Sequence, residues 1–209
     1  MMKFPWRTKE VLILIGMIFL LLGLRSKTVE ITPIQPVVPE SPYSTRSDVK
    51  IKVYNFQDAR QGKLDPYLIG KKRAFGVTMV DFYSKRPVFK IVTQAVKSEF
   101  IRHGYKIVQE NEDFSVKGRI DQFWAKTPLT RMGATWDVVG EVSLTMEVSR
   151  PGQKIGIRLG SYTGQKSKST LNPGPKTFQL VMTDALRGAI QEMSADPRLI
   201  SELTKKREH

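Results

Sequence analysis

The side chains with the strongest chemical character are few and widely spaced. The chain has two histidines, His103 and His209, and no cysteine. Without cysteine there are no thiolate ligands, no cysteine nucleophile and no disulfide, and neither histidine belongs to an HExxH motif or a histidine pair. His103 falls at the end of a predicted helix, where an imidazolium can meet the helix dipole. The sequence therefore predicts no metal site, no cofactor and no catalytic residue.

One pair of opposite charges lies close together in the sequence. Asp58 and Arg60 follow a predicted strand and are two residues apart. A carboxylate and a guanidinium at this spacing can form a bidentate pair. The pair either stabilises a turn or contributes to a binding site, and the sequence allows both interpretations.

Basic residues concentrate in the predicted loops. Lys71, Lys72 and Arg73 follow Gly70, but Asp65 stands where a phosphate-binding Walker motif requires glycine. We interpret the series as a basic turn and as a candidate binding element. Further basic residues in predicted loops are Lys85, Arg86, Lys166, Lys168 and Lys176. If these loops meet at a membrane-facing end, each cation near an anionic leaflet contributes about 1 kcal/mol.

Two tryptophans bracket another predicted loop. Trp124 and Trp136 stand on either side of residues 125–135, which include Arg131. A loop that combines aromatic and basic side chains can contact lipid headgroups, glycan or a partner protein. Alternatively, both tryptophans cover the core of the sheet.

The hydrophobic pattern predicts the strands that would position these residues. Apolar residues alternate with polar ones over residues 114–121, 138–148 and 154–162, which predicts a meander of three antiparallel strands. In the third strand Ile155, Ile157 and Leu159 are predicted to face inward. Two earlier strands are predicted over residues 49–55 and 74–81, and residues 164–176 are predicted to form a loop.

Apolar residues at three- and four-residue spacing predict two amphipathic helices, over residues 84–103 and 177–193. Asp196 followed by Pro197 predicts the start of a short terminal helix that runs through residue 203. The predicted fold is α+β: a largely antiparallel sheet covered on one face by two amphipathic helices, preceded by a single N-terminal membrane helix.

The membrane helix is predicted from an uncharged run at the N-terminus. Basic residues precede it and Arg25 and Lys27 close it, which is the pattern of an export signal. A helix over this run would span only about 21 Å of the roughly 30 Å hydrocarbon core. The first alanine of the chain is Ala59, so an A-x-A cleavage site is missing and an uncleaved anchor is favoured over a cleaved leader or a buried helix. The predicted anchor residues are Val11, Leu12, Ile13, Leu14, Ile15, Ile18, Phe19, Leu20, Leu21, Leu22 and Leu24.

A proline-rich segment follows the N-terminal run. Pro33, Pro36, Pro39 and Pro42 recur at every third residue, which places them on one edge of a polyproline II helix. Such a segment is a stiff spacer, or it follows an edge strand over residues 29–31. The predicted organisation is an anchor segment over residues 1–27, a linker or edge strand over 28–46, and one α+β domain over 47–209.

The net charge of the chain favours anionic partners. The chain has 34 Lys and Arg against 20 Asp and Glu, a net charge of +14. This charge attracts anionic lipid, acidic envelope polymers, an acidic protein or nucleic acid. No nucleic-acid-binding signature accompanies it, and an exported domain lies in the wrong compartment for nucleic acid.

Several of these features together resemble the YajG-like bacterial envelope lipoproteins. They are residues 28–33 (TVEITP), the residues Phe56, Asp58 and Arg60, Ile69-Gly70, and the order of helix, paired strands and final helix that follows. The resemblance implies an exported, membrane-anchored domain without an assigned activity. The chain departs from the family at the lipobox, because Leu24 stands where the lipidated cysteine would be.

These expectations define the predicted function. It is a non-enzymatic, membrane-tethered envelope accessory protein that binds a protein partner or an envelope polymer, within a secretion or surface-assembly complex. The predicted location is the bacterial inner membrane, with a single span and the domain in the periplasm. The alternatives are an envelope hydrolase or transferase with a site near Asp58 and Arg60, or a module that binds anionic lipid or polyanions.

Overall fold

The sheet is built around a long central strand, β7. The computed structural model describes residues 25–31, 48–61, 65–74, 77–128, 135–153 and 156–204. The strands are β1 (Arg25–Val29), β2 (Lys50–Val53), β3 (Gln57–Asp58), β4 (Leu68–Ala74), β5 (Val77–Ser84), β6 (Lys106–Ile107), β7 (Phe114–Lys126), β8 (Trp136–Ser149) and β9 (Ile157–Thr170). The helices are α1 (Val88–Arg102), α2 (Pro175–Ala195) and α3 (Pro197–Thr204).

The sheet is mixed: the three longest strand pairings are antiparallel, as predicted, and the shorter ones are parallel. Along one edge, β7 pairs with the antiparallel strand β8, and β8 pairs with β9. Along its other edge β7 pairs in parallel with β2, β3 and β4 in succession. These short strands run parallel to β7 because the chain crosses back through α1 before it enters β7. Beyond β4 lie β5, which is antiparallel, and then β1, which is parallel to β5.

The predicted meander is present in β7, β8 and β9. The alternating apolar residues of β7 and β8, such as Val116, Ile120 and Val142, are buried as predicted. Ile157 is an exception. It was predicted to face inward with Leu159, but it is 44% exposed because it opens an edge strand that pairs only with β8. Leu159 is buried, and Ile155 lies outside the described residues.

The predicted loop over residues 164–176 is wrong, because β9 continues to Thr170. Gly164 explains how helix α2 packs so closely on this part of the strand. A Cβ atom at Gly164 would lie 1.9 Å from the Ala185 carbonyl oxygen and 2.6 Å from the Ala189 backbone nitrogen. Only glycine leaves room for the helix backbone at this point.

The two predicted amphipathic helices and the short terminal helix are confirmed. Helix α1 begins directly after Pro87, and α2 has Pro175 at its first turn, a position that tolerates proline. The predicted apolar face of α2 is buried against the sheet, and Phe178 stacks on Phe82 of β5 with the ring centroids 3.7 Å apart. Helix α3 begins after Asp196, as the Asp-Pro sequence predicts.

The N-terminal part of the structure starts with β1. This strand pairs with β5 and buries Val29, and Ile31 after it is also buried. Residues 1–24, which contain the predicted anchor, lie outside the described residues. In the described part of the chain, none of the helices has the length and hydropathy needed to cross a membrane. The proline-rich residues 32–47 also lie outside the described residues, and they connect β1 and β2 of one sheet. The predicted spacer therefore lies outside the described residues.

Candidate functional site

The strand directions bring most of the basic segments to one end of the sheet. At this end β4, β7 and β9 finish, and β1, β5, β8 and α2 begin, as the pairing registers require. Lys71 of β4 is level with Lys126 of β7, and Lys126 is level with Val139 of β8. We call this region the basic end. Its cations are Lys27, Lys71, Lys72, Arg73, Lys126, Lys166, Lys168 and Lys176.

Two of these cations have carboxylate partners. The Nζ atom of Lys71 lies 3.8 Å from Asp81 Oδ1, and that of Lys126 lies 2.6 Å from Glu141 Oε1. The other six cations form no ion pair among the described residues. The basic end therefore carries a surplus of positive charge directed at solvent.

The predicted basic turn is part of strand β4, so that interpretation is wrong. Consecutive charged residues fit in a strand because their side chains leave on alternate faces. Lys71 pairs with Asp81 on one face, and Lys72 extends along the other, where its Nζ lies 5.2 Å from the centre of the Trp136 ring. Burial and, secondly, the charge of Lys27 lower the pKa of Lys72. The lysines are thus close enough to repel one another.

The start of α2 adds to this positive potential. The N-cap residue Gly174 makes no side-chain hydrogen bond to the helix, and the first turn contains Lys176 and no acidic residue. The helix dipole places a partial positive charge at this point. Leu171, between β9 and α2, is 71% exposed. An exposed aliphatic side chain thus lies among lysines at the tip of the basic end.

Asp58 and Arg60 lie apart from the basic end and form an internal tie. Arg60 Nε and Nη2 donate to the two oxygens of Asp58 at 2.8 Å each. Arg60 Nη1 donates to the Leu68 carbonyl oxygen at 2.6 Å, and the residue is 6% exposed. The guanidinium joins β3 to the start of β4 and faces protein groups.

The remaining predicted residues divide between several places. Lys85 and Arg86 follow the end of β5, a few residues along the sheet from Lys71, and Lys85 Nζ pairs with Glu30 at 2.7 Å. Trp124 and Trp136 are half-buried, and strand alternation places them on opposite faces near the basic end. Arg131 lies outside the described residues.

Sequence reasoning missed Lys27, Lys126 and Leu171. Lys27 was assigned to the flank of the anchor, although it lies in the middle of β1. Lys126 was not singled out because it extends a strand that was predicted to end earlier. The signal for Leu171 was an isolated aliphatic residue in a stretch of Ser, Lys, Asn and Pro.

Comparison with solved structures shows the fold. A DUF330-family protein from Xanthomonas campestris is 14% identical, with a TM-score of 0.53 over 85% of this chain and 96% of that one. A minor lipoprotein from Acinetobacter baumannii is 12% identical, with a TM-score of 0.38 over 70% of this chain and 92% of that one. A lipoprotein from Neisseria meningitidis is 11% identical, with a TM-score of 0.32 over 70% and 98%. No curated protein matches the chain.

A sequence family gives a more direct assignment. The model of a family described as uncharacterised lipoprotein matches residues 36–204, which is most of the chain and nearly all of the described domain. This match confirms the resemblance to YajG-like proteins and associates the chain with the bacterial envelope. The chain belongs to this family of uncharacterised bacterial lipoproteins.

Proposed function

We propose that the chain is a non-enzymatic accessory protein of the bacterial envelope whose domain rests on an anionic membrane surface through its basic end. The observation that carries this proposal is the convergence of eight cations from five separate elements at one end of the sheet. Six of them have no carboxylate partner among the described residues. Anionic phospholipid headgroups would supply the missing negative charge.

The position of β1 supports this orientation. Arg25, the first residue of β1, directly follows the apolar residues 11–24. If those residues are inserted as a membrane anchor, the chain emerges from the bilayer at the basic end of the sheet. The domain would then sit on the periplasmic surface of the inner membrane without an intervening spacer. Since the chain has no cysteine, this anchor would replace the lipid that gives the family its description.

The mixture of side chains at the basic end favours a bilayer surface over a soluble polyanion. Leu171 is exposed among lysines, and Trp136 lies under the Lys72 side chain. Aliphatic and tryptophan side chains are favourable at the depth of lipid headgroups, and lysines beside them contact the phosphates. A soluble polyanion would use the cations and leave Leu171 in water.

A second surface supports the predicted role in binding a protein partner or envelope polymer. The outer face of β7, β8 and β9 carries side chains such as Lys117, Arg119, Ser143 and Thr145, and no described helix packs on it. Wide polar sheet faces suit partners that bind through many hydrogen bonds. With the basic end on the membrane, this face would stand upright and accessible.

The membrane proposal is tested by vesicle flotation of residues 25–209, which contain every described strand and helix. We expect binding to vesicles that contain phosphatidylglycerol, no binding to pure phosphatidylcholine, and a steep loss of binding with added salt. The double variant Lys168→Glu, Lys176→Glu should weaken binding roughly 30-fold or more, since each cation contributes about 1 kcal/mol and is replaced by a repelled charge.

The matched control is Lys50→Glu, Lys106→Glu. It makes the same change in net charge with two exposed residues at the opposite end of the sheet, where β2, β6 and β7 begin. This variant should bind far more tightly than the basic-end variant. Equal losses in the two variants would mean that only net charge matters and would contradict the proposed orientation. Binding that is absent or insensitive to salt would contradict the proposal as a whole.

A further inference from the structure

A pocket lies at the other end of α2, away from the basic end. The C-terminal parts of α1 and α2 and the short helix α3 enclose about 330 Å³. Five of its wall residues are apolar or aromatic and almost fully buried: Phe100, Tyr105, Met193, Leu199 and Leu203. The volume falls in the range of ligand sites, roughly 300–1,000 Å³. It exceeds the small voids that close-packed cores leave between side chains.

Polar and charged side chains surround the entrance of the pocket. Glu99 is 5% exposed, and its carboxylate accepts hydrogen bonds from Arg102 Nε at 2.9 Å and Nη2 at 2.5 Å. His103 Nε2 lies 3.2 Å from Glu99 Oε1. Burial alone would raise the pKa of Glu99, but the hydrogen bonds from Arg102 and Ser194 lower it. The carboxylate is therefore ionised and already neutralised by its neighbours.

The lining side chains that are partly exposed at the entrance are His103, Ser194 and Ile200, and His103 is 31% exposed. The His103 ring carries an N–H group that can donate a hydrogen bond to a ligand, while Arg102 lies beside the pocket and pairs with Glu99. An apolar chamber with a donor at its mouth complements a molecule that has an alkyl chain and a polar head that accepts hydrogen bonds.

We propose that this pocket binds a single-chain amphiphile with a carboxylate or phosphate head. The alkyl chain lies between Phe100, Met193 and Leu199, and the head stays at the entrance beside His103. Because α2 has 21 residues and a helix rises about 1.5 Å per residue, the pocket and the basic end are about 30 Å apart. The two sites are separate, so the failure of one proposal leaves the other standing.

The test uses the full chain in phosphatidylcholine nanodiscs, with the methionine methyl groups labelled with carbon-13 and observed by NMR. Met193 lines the pocket, whereas Met146 and Met182 are buried elsewhere in the core. Addition of laurate should shift the Met193 signal in a saturable way and leave the Met146 and Met182 signals unchanged. No shift, or equal shifts of all three signals, would overturn the proposal.

Two comparisons test the charge of the head group and the position of the alkyl chain. Dodecyltrimethylammonium has the same alkyl chain with a cationic head, and equal saturation of Met193 by this ligand would overturn the assignment of the head group. Leu199→Trp fills the pocket and should weaken laurate binding roughly tenfold, whereas Leu180→Trp on the exposed face of α2 should leave binding unchanged. If Leu199→Trp disturbs the Met146 and Met182 signals, Ile200→Trp at the pocket wall replaces it. Unchanged affinity in a folded pocket variant would contradict the site.

Discussion

The two ends of α2 differ in whether their polar and charged groups have partners within the protein. At its N-terminus the helix has no side-chain cap and no acidic residue in its first turn, and that turn contains Lys176. At its C-terminus the residue Asp196 ends α2, accepts the backbone N–H of Arg198 at 2.9 Å to start α3, and accepts the Tyr162 hydroxyl at 2.7 Å. The polar groups around Asp196 are satisfied within the protein.

The difference separates the residues expected to stabilise the fold from those proposed to bind a partner. A helix N-terminus among lysines is electrostatically unfavourable by itself, since the dipole and the side chains have the same sign. An external anion removes this repulsion. Asp196 needs no external partner, because Arg198 and Tyr162 already surround its carboxylate. We therefore expect substitutions at the C-terminal end of α2 to change folding, and substitutions at the N-terminal end to change binding.

The largest expected effect is that of Asp196→Ala. The substitution removes the cap of α3 and leaves the hydroxyl of Tyr162, which is 3% exposed, without its acceptor. Loss of a cap and of a buried acceptor together should lower the free energy of unfolding by about 2–4 kcal/mol, measured by urea denaturation. Arg198→Ala is the control. Its side chain is 65% exposed, so the cost should stay below about 1 kcal/mol. Equal costs would contradict the central place of Asp196.

The same carboxylate should give the protein a specific acid sensitivity. Hydrogen bonds from Arg198 are the main cause that lowers the pKa of Asp196 from 3.8 to about 2. A lowered folded-state pKa means that the stabilisation is complete above the unfolded pKa and is lost as the pH falls toward the folded one. The stability difference between the wild type and Asp196→Asn should therefore be constant above pH 4 and shrink between pH 4 and 2. A difference that does not change with pH would contradict this assignment.

The smallest effect on stability is expected from Lys176→Glu. This substitution should change stability and binding in opposite directions. A carboxylate in the first turn of α2 complements the helix dipole and should stabilise the fold by about 0.3–1 kcal/mol, seen as a higher melting temperature. The same substitution should weaken binding to anionic vesicles. Lys176→Gln should give a smaller loss of binding and little gain in stability. If Lys176→Glu lowered stability, the comparison between the two ends of α2 would be wrong.

The local patterns of the sequence predict the elements that have regular periodicity. Alternation predicts β7 and β8, and the proline positions predict where α1 and α3 begin, because both signals act within a few residues. Strand β1 is different. Its pairing with β5 joins residues about 55 positions apart, and a polar strand such as RSKTV has no period that indicates its partner.

The sequence predicted which residues of the candidate site are basic, but it did not predict that they lie together. Lys71, Lys72, Lys168 and Lys176 were recognised as basic, but strand direction decides that they meet and that Lys85 and Arg86 do not. The polar end of β9 looks like a loop because its inward positions carry Gly164 and lysines in place of aliphatic residues. Helix α2 supplies the packing that the strand lacks, and that contact is not visible in either segment alone.

The central claim is that the basic end faces the membrane, and the absence of cysteine allows a direct test. Leu171→Cys and Ile101→Cys each place one thiol at an exposed aliphatic position, at the basic end and near the pocket at the opposite end respectively. Each full-length variant is labelled with an environment-sensitive fluorophore and placed in nanodiscs containing phosphatidylglycerol. A blue-shifted emission that spin-labelled lipids quench at position 171, with neither change at position 101, is the result we predict. Equal responses at both positions, or a response at position 101 alone, would contradict the proposed orientation.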